Sequence, residues 1–116
     1  MLFVCYTKCV TCNKARAWLK SSGLTYTSRD IKKDRPTEEE LRKWHAKSGL
    51  PLKNFFNTSG KPYKDLSLKA KLPSMSEDEQ FKLLATDGML VKRPVLETEG
   101  FVLVGFKQEE WETRLK

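Results

Sequence analysis

Two cysteines, Cys9 and Cys12, stand three residues apart in the stretch KCVTCNKARAWLK that runs from Lys8 to Lys20. A thiol attacks as its thiolate. A free cysteine titrates near ~8.5, and this falls to roughly 3.5–7.5 at a helix N-terminus or beside cations. The stretch offers both conditions. An amphipathic helical pattern begins at Cys12, which puts Cys9 at a helix start, where unpaired N–H groups favour negative charge. Lys8 precedes it, and Lys14 and Arg16 follow on the first turns. The spacing sets the second sulfur one turn away, placed to attack a mixed disulfide formed at the first and to release its partner. Cys9 is the candidate nucleophile and Cys12 the candidate resolving thiol. The same spacing also serves as half of a zinc site, but zinc needs two further ligands. Only Cys5 and His45 remain, one in an apolar run and the other in a separate helical segment, so no metal is expected. Cys5 reads as a small buried hydrophobe. His45, beside Trp44, reads as a packed or surface residue rather than a base for Cys9.

The elements that must hold the pair can be read around it. LFVCY, Leu2 to Tyr6, is nearly continuous apolar sequence and predicts a strand covered on both faces. The helix after it carries Ala15, Trp18, Leu19 and Ser22 on one face and stops at Gly23. LTYTSRDI, Leu24 to Ile31, predicts a second strand and completes a βαβ unit over residues 1–31. Thr37 to Glu40 is a capping box that opens a helix through Leu41 and Trp44 to Gly49. Ser76 to Glu79 is another, followed by Phe81, Leu84 and Ala85 on an apolar face, with Gly88 as the expected stop. Lys61 to Leu72 reads as turns or a short helix. VLETEGFVLVGF, Val95 to Phe106, predicts a hairpin through Glu99-Gly100. QEEWETRLK predicts a closing helix carrying Trp111 and Leu115.

The fold class that follows is α/β: a thioredoxin-like (glutaredoxin-like) mixed four-stranded sheet in one domain over residues 1–116, with a helical insertion at about 36–90 and a ββα half at 94–116. A cysteine pair that follows a first strand and opens a helix is the thioredoxin-type context. In such a sheet the proline just before the third strand, here Pro94, is expected to be cis and to face the helix of the nucleophile. Arg93 would then project toward Cys9. A guanidinium there holds a thiolate and clasps an oxyanion through two parallel donors.

Composition narrows the setting. The chain has 116 residues, 39% of them hydrophobic, enough for one core. No apolar run approaches the ~20 residues of a membrane helix. MLFVCYTK lacks a basic leader and a long apolar region, so no signal peptide and a cytoplasmic location are expected. Thiols are kept reduced there. Three cysteines make a poor disulfide framework, so any disulfide here is expected to be transient and chemical. The net charge is +7 and uneven: residues 1–35 carry eight Lys/Arg against two Asp/Glu, residues 36–75 eight against four, and residues 76–116 six against nine. The basic part holds the cysteine pair and attracts anions, either small oxyanions, phosphates or an acidic protein. Nothing in it is patterned for base-specific nucleic-acid binding.

The segments CYTKCVTCNKARAWLKSSG, LPLKNFFNTSGKPYKDL, ATDGMLVKRPV and VGFKQEEW resemble the ArsC/Spx superfamily, and they span nearly the whole chain. That group includes glutaredoxin-dependent arsenate reductases, the redox-responsive regulator Spx, its relative MgsR, and uncharacterised bacterial relatives. The resemblance implies a bacterial, cytoplasmic protein with a thioredoxin-like fold and a helical insertion. Cys9 matches the catalytic thiol of the reductases, and Arg93 matches their arginine before the cis-proline. Where such enzymes carry two further arginines on the anion, this chain has Asn57 and Thr58 in one place and only Lys107 in the other. Lys8, Thr11, Arg93 and Lys107 are the expected anion-binding residues. Cys9 with Cys12 also resembles the switch of the Spx-type regulators, although FFNTSGKPYKDL and TDGMLVKRP look more like the uncharacterised reductase-like relatives. Two functions are implied. One is a thiol-dependent reductase with no bound cofactor, recycled by glutathione/glutaredoxin or by thioredoxin. The other is a regulator that docks on the RNA polymerase α subunit. A monomer is expected in either case.

Overall fold

Four strands, β1 (Leu2–Cys5), β2 (Thr27–Asp30), β3 (Val95–Glu97) and β4 (Val102–Val104), form one mixed sheet in the order β2-β1-β3-β4. The computed structural model describes all 116 residues. β1 runs parallel to β2, with Val4 opposite Arg29, and antiparallel to β3, with Phe3 opposite Leu96. β3 pairs antiparallel with β4, with Leu96 opposite Leu103. This is the mixed four-stranded sheet that the sequence predicts, with β1 and β3 interior.

Side chains alternate across a strand, and the two faces of this sheet divide the core. Phe3, Cys5, Leu96 and Leu103 point to one face, where they meet Cys12, Ala15, Trp18 and Leu19 of α1 (Val10–Ser21) and Trp111 of the C-terminal helix Gln108–Leu115. Val4, Val95 and Val102 point to the other. There they meet Leu41 and Trp44 of α2 (Glu38–Ser48), and Leu68 and the pair Phe81 and Leu84 from two of the three helices that follow, α3 (Lys61–Asp65), α4 (Leu68–Lys71) and α5 (Glu77–Leu84). The closing helix is α6. Both capping boxes form: Thr37 accepts from the Glu40 N–H at 3.1 Å, and Ser76 from the Glu79 N–H at 3.2 Å. The Lys61–Leu72 stretch resolves into α3 and α4, followed by a 3-10 turn at Leu72–Ser74.

Three boundaries differ from the sequence prediction. Helix α1 begins at Val10, not Cys12, with Cys9 itself as the extended N-cap. β2 holds only Thr27–Asp30, because β1 offers four residues for pairing; Leu24 and Tyr26 pack on the α1 face instead. Gly88 does not stop α5, which ends at Leu84 with Ala85 as its C-cap. Gly88 opens a 3-10 turn, Gly88–Leu90, and a Cβ there would lie 1.9 Å from the Ile31 carbonyl oxygen. The glycine serves a close backbone approach.

The insertion is tied back to the sheet end that carries the cysteines. Phe56 bridges Val91, the Asn57 N–H donates to Leu90 O at 2.7 Å, and the Lys92 N–H donates to Phe55 O at 2.8 Å. These bonds fix residues 55–57 beside residues 90–92, immediately before the Arg93-Pro94 peptide, which is cis as the sequence reading expects.

Candidate active site

Cys9 is the N-cap of α1, and the first turn of the helix contains no acidic residue. Its sulfur stands at the positive end of a twelve-residue helix. The loop before it is braced: the Cys9 N–H donates to Tyr6 O at 3.1 Å and the Asn13 side chain donates to Thr7 O at 3.2 Å. Cys12 lies one turn on and is fully buried, its sulfur accepting from the Tyr6 N–H at 3.4 Å.

The two thiols are driven apart electrostatically. Burial works against the Cys9 thiolate, but hydrogen bonds from the Cys12 N–H and thiol, together with the Arg93 guanidinium, outweigh it and hold the thiol below its ordinary value. Burial, then the hydrogen bond and charge of Cys9, push Cys12 up to about 12, against the Tyr6 N–H that favours its thiolate. The first sulfur is the more readily ionised of the two, and the second keeps its proton at neutral pH. Without a charge on Cys9, part of what raises Cys12 would be removed, while the larger effect of burial would remain.

Arg93 is set by its neighbours. Its guanidinium lies 5.4 Å from the centre of the Tyr6 ring, Nη1 donates to Met89 Sδ at 3.7 Å, and Nε is buried with no partner. Arg93, Cys9 and Thr11 open on a groove of about 490 Å³, which also has Asn57, Ser59, Lys92, Gly105 and Lys107 in its wall. Gly105 has φ +77°, its N–H donates to Pro94 O at 2.8 Å, and its carbonyl accepts from the buried Trp111 Nε1 at 3.2 Å. The aromatic layer under α1 thus anchors the groove wall.

Of the residues expected at the site, Cys9, Thr11, Arg93 and Lys107 share this groove, and Pro94 follows Arg93 through the cis peptide. Lys8 is exposed and outside it. Lys14 and Arg16 do not serve Cys9. Lys14 is exposed beside Trp18, and Arg16 turns inward to donate to Cys5 Sγ at 3.0 Å. Cys5, 2% exposed, is thus more than an apolar filler. His45 packs edge-on against Phe55 and Phe81, away from the thiols. Sequence reasoning missed Tyr6, Ser59, Lys92 and Gly105. Lys92 was within reach as the cation beside Arg93 in VKRPV. Tyr6 was not, because its contacts with Arg93, Cys9 and Cys12 are made only in the folded chain.

The model of the ArsC family matches residues 5–114. The chain belongs to the ArsC family. It is 59% identical to an ArsC family related protein from Bacteroides fragilis, whose structure superposes with a TM-score of 0.96 over 99% of this chain and 96% of that one. A possible arsenate reductase from Streptococcus mutans UA159 is 46% identical, with a TM-score of 0.87 over 96% of each chain. Among curated relatives, the uncharacterized protein YusI of Bacillus subtilis is 50% identical over 97% of this chain and 95% of its own length. Global transcriptional regulator Spx 2 of Bacillus anthracis is 28% identical over 94% of this chain and 83% of its own. The resemblance read from the sequence and the thioredoxin-like fold of this ArsC-family chain both stand.

Proposed function

We propose that this ArsC-family protein is a thiol-dependent reductase in which Cys9 is the nucleophile and Cys12 the resolving thiol. The observation that carries the reading is the split pair: a thiol held below its ordinary value in an open groove, and a buried one pushed up to about 12 one turn behind it. On a disulfide substrate, the Cys9 thiolate attacks one sulfur, the substrate S–S bond breaks, and the departing thiolate takes a proton from solvent. Cys12, losing its proton, then attacks Cys9 Sγ and expels the second substrate thiolate. Two electrons pass to the substrate, and the protein is left with a Cys9-Cys12 disulfide. A thiol reductant of the glutaredoxin/glutathione or thioredoxin class returns the pair to dithiol in the cytoplasm. Arg93 holds the thiolate and faces the incoming anion or sulfur. A turnover assay with arsenate and with hydroxyethyl disulfide, each coupled to the glutathione/glutaredoxin and thioredoxin systems, tests this. Turnover that is lost in Cys9→Ser supports the reading. No turnover in any arm sinks it.

The second reading is a redox regulator. It is favoured by the similarity to Spx 2 and by Val10, an apolar side chain 69% exposed between the two cysteines, where a docking protein would sense the disulfide. Pull-down of the RNA polymerase α subunit by the oxidised but not the reduced chain would favour it over the enzyme.

A further inference from the structure

Four of the 22 Lys and Arg residues, Arg29, Arg42, Lys43 and Lys47, pair with a carboxylate. Lys92, Arg93 and Lys107, which wall the Cys9 groove, pair with none, and no Asp or Glu lines that groove at all. The site is therefore a pocket of one sign, and Nε of its Arg93 is buried without a partner. Buried donors normally find an acceptor. Lys92 is exposed: its backbone N–H is bound to Phe55 O, and its Cε lies against Gly105, 3.1 Å from where a Cβ would stand. It also lines both depressions that adjoin the groove, one toward Ser48, Glu110 and Arg114 and one toward Lys53 and Tyr63. At about 490 Å³ the groove is in the range of pockets that take organic ligands. A bare tetrahedral oxyanion would fill only a fraction of it.

From these features we propose that the groove selects organic thiols and disulfides that carry a carboxylate a few atoms from the sulfur, with Lys92 and Lys107 as the specificity-determining residues. Arg93 and the helix start take the sulfur end, and the two lysines take the carboxylate. This rests on the reductase reading and adds its substrate class.

The test uses the Cys12→Ser protein, which stops at the mixed disulfide on Cys9. Second-order rate constants for that adduct are measured by intact mass with three probes of similar size: dithiodipropionate (anionic), hydroxyethyl disulfide (neutral) and cystamine (cationic). The anionic probe is expected to react fastest. The anionic-to-neutral ratio should fall roughly three- to fivefold in Lys92→Gln and again in Lys107→Gln, and Lys92→Arg should restore it. Lys20→Gln removes an equal charge on an exposed face of α1 and should leave the ratio in place, which separates a local site from general attraction to a basic protein. No adduct at Cys9 with any probe overturns the reductase reading and the substrate class with it. Adducts formed at equal rates with all three, or a ratio that Lys20→Gln lowers as much as Lys92→Gln does, leave the thiol chemistry standing and overturn the substrate class alone.

Discussion

Tyr6 reaches the Arg93 side chain, the Cys12 sulfur and the Cys9 backbone through three different contacts. Its ring centre lies 5.4 Å from the Arg93 guanidinium, its N–H donates to Cys12 Sγ at 3.4 Å, and its carbonyl accepts from the Cys9 N–H at 3.1 Å. The two backbone bonds belong to the chain path at the end of β1 and survive substitution. The ring contact does not, so mutation can separate the positioning of Arg93 from the positioning of the sulfurs.

Tyr6→Leu should free the guanidinium from the ring, a contact of about 0.5–2 kcal/mol. The pH midpoint of Cys9 alkylation should rise, because Arg93 then spends less time beside the thiolate. Tyr6→Phe keeps the ring face and should hold the midpoint. Iodoacetamide rates against pH, mapped by mass spectrometry, read this directly. A midpoint unmoved in Tyr6→Leu would mean that Met89 and the local backbone hold Arg93 by themselves.

Arg93→Lys keeps the charge and loses the fork. It should lower turnover by roughly 10–100-fold, the worth of one charge-assisted hydrogen bond, while the melting temperature stays nearly unchanged. Normal turnover would remove Arg93 from the chemistry and move the regulatory reading ahead.

The reach of the sequence can be judged from particular residues. The nearly continuous apolar run Leu2 to Tyr6, and the two apolar runs joined through Glu99-Gly100, revealed strands, because such runs are local. The two capping boxes revealed helix starts for the same reason. Cys9 and Cys12 were legible because their spacing is itself the mechanism. What escaped depends on distant partners. Arg16 looked like a cation for Cys9, but helix geometry turns it toward Cys5 on β1. Gly88 looked like a helix stop, but its reason is the Ile31 carbonyl, a contact across the insertion. Lys92 was not singled out, because its place in the groove wall depends on the bridge between Phe56 and Val91.

Mild oxidation should join Cys9 to Cys12 and leave Cys5 free. Cys12 lies one turn from Cys9 and favours its thiolate, whereas Cys5 has Arg16 on its sulfur. Peptide mapping after brief diamide treatment should show a two-hydrogen loss confined to the Cys9–Cys12 peptide. In Cys12→Ser, Cys9 should instead accumulate as a mixed disulfide with added thiol. A bridge that includes Cys5 would reassign the resolving thiol.

Glu40 offers a pH test of the fold apart from the thiols. It closes the α2 capping box by accepting from the Thr37 N–H at 3.0 Å, and it accepts from Arg29 Nη2 of β2 at 2.9 Å. The Arg29 hydrogen bond, opposed by burial and helped by the Thr37 N–H, holds its carboxyl below the ordinary glutamate range. A carboxylate depressed in the folded state adds stability that is fully present above the unfolded value of about 4.3 and is lost as pH falls through the lower folded value. Glu40→Gln keeps an acceptor for Thr37 and removes the charge. Its cost at neutral pH should be no more than about 1 kcal/mol, because the pair retains solvent contact. Below the folded value the variant and the parent should converge, since both are then neutral at this position. Urea midpoints at neutral pH and at successive acid steps measure the difference. Parallel curves down to the acid limit would show that the Arg29 pair contributes nothing to holding α2 on the sheet, and that the capping bond alone fixes the helix start.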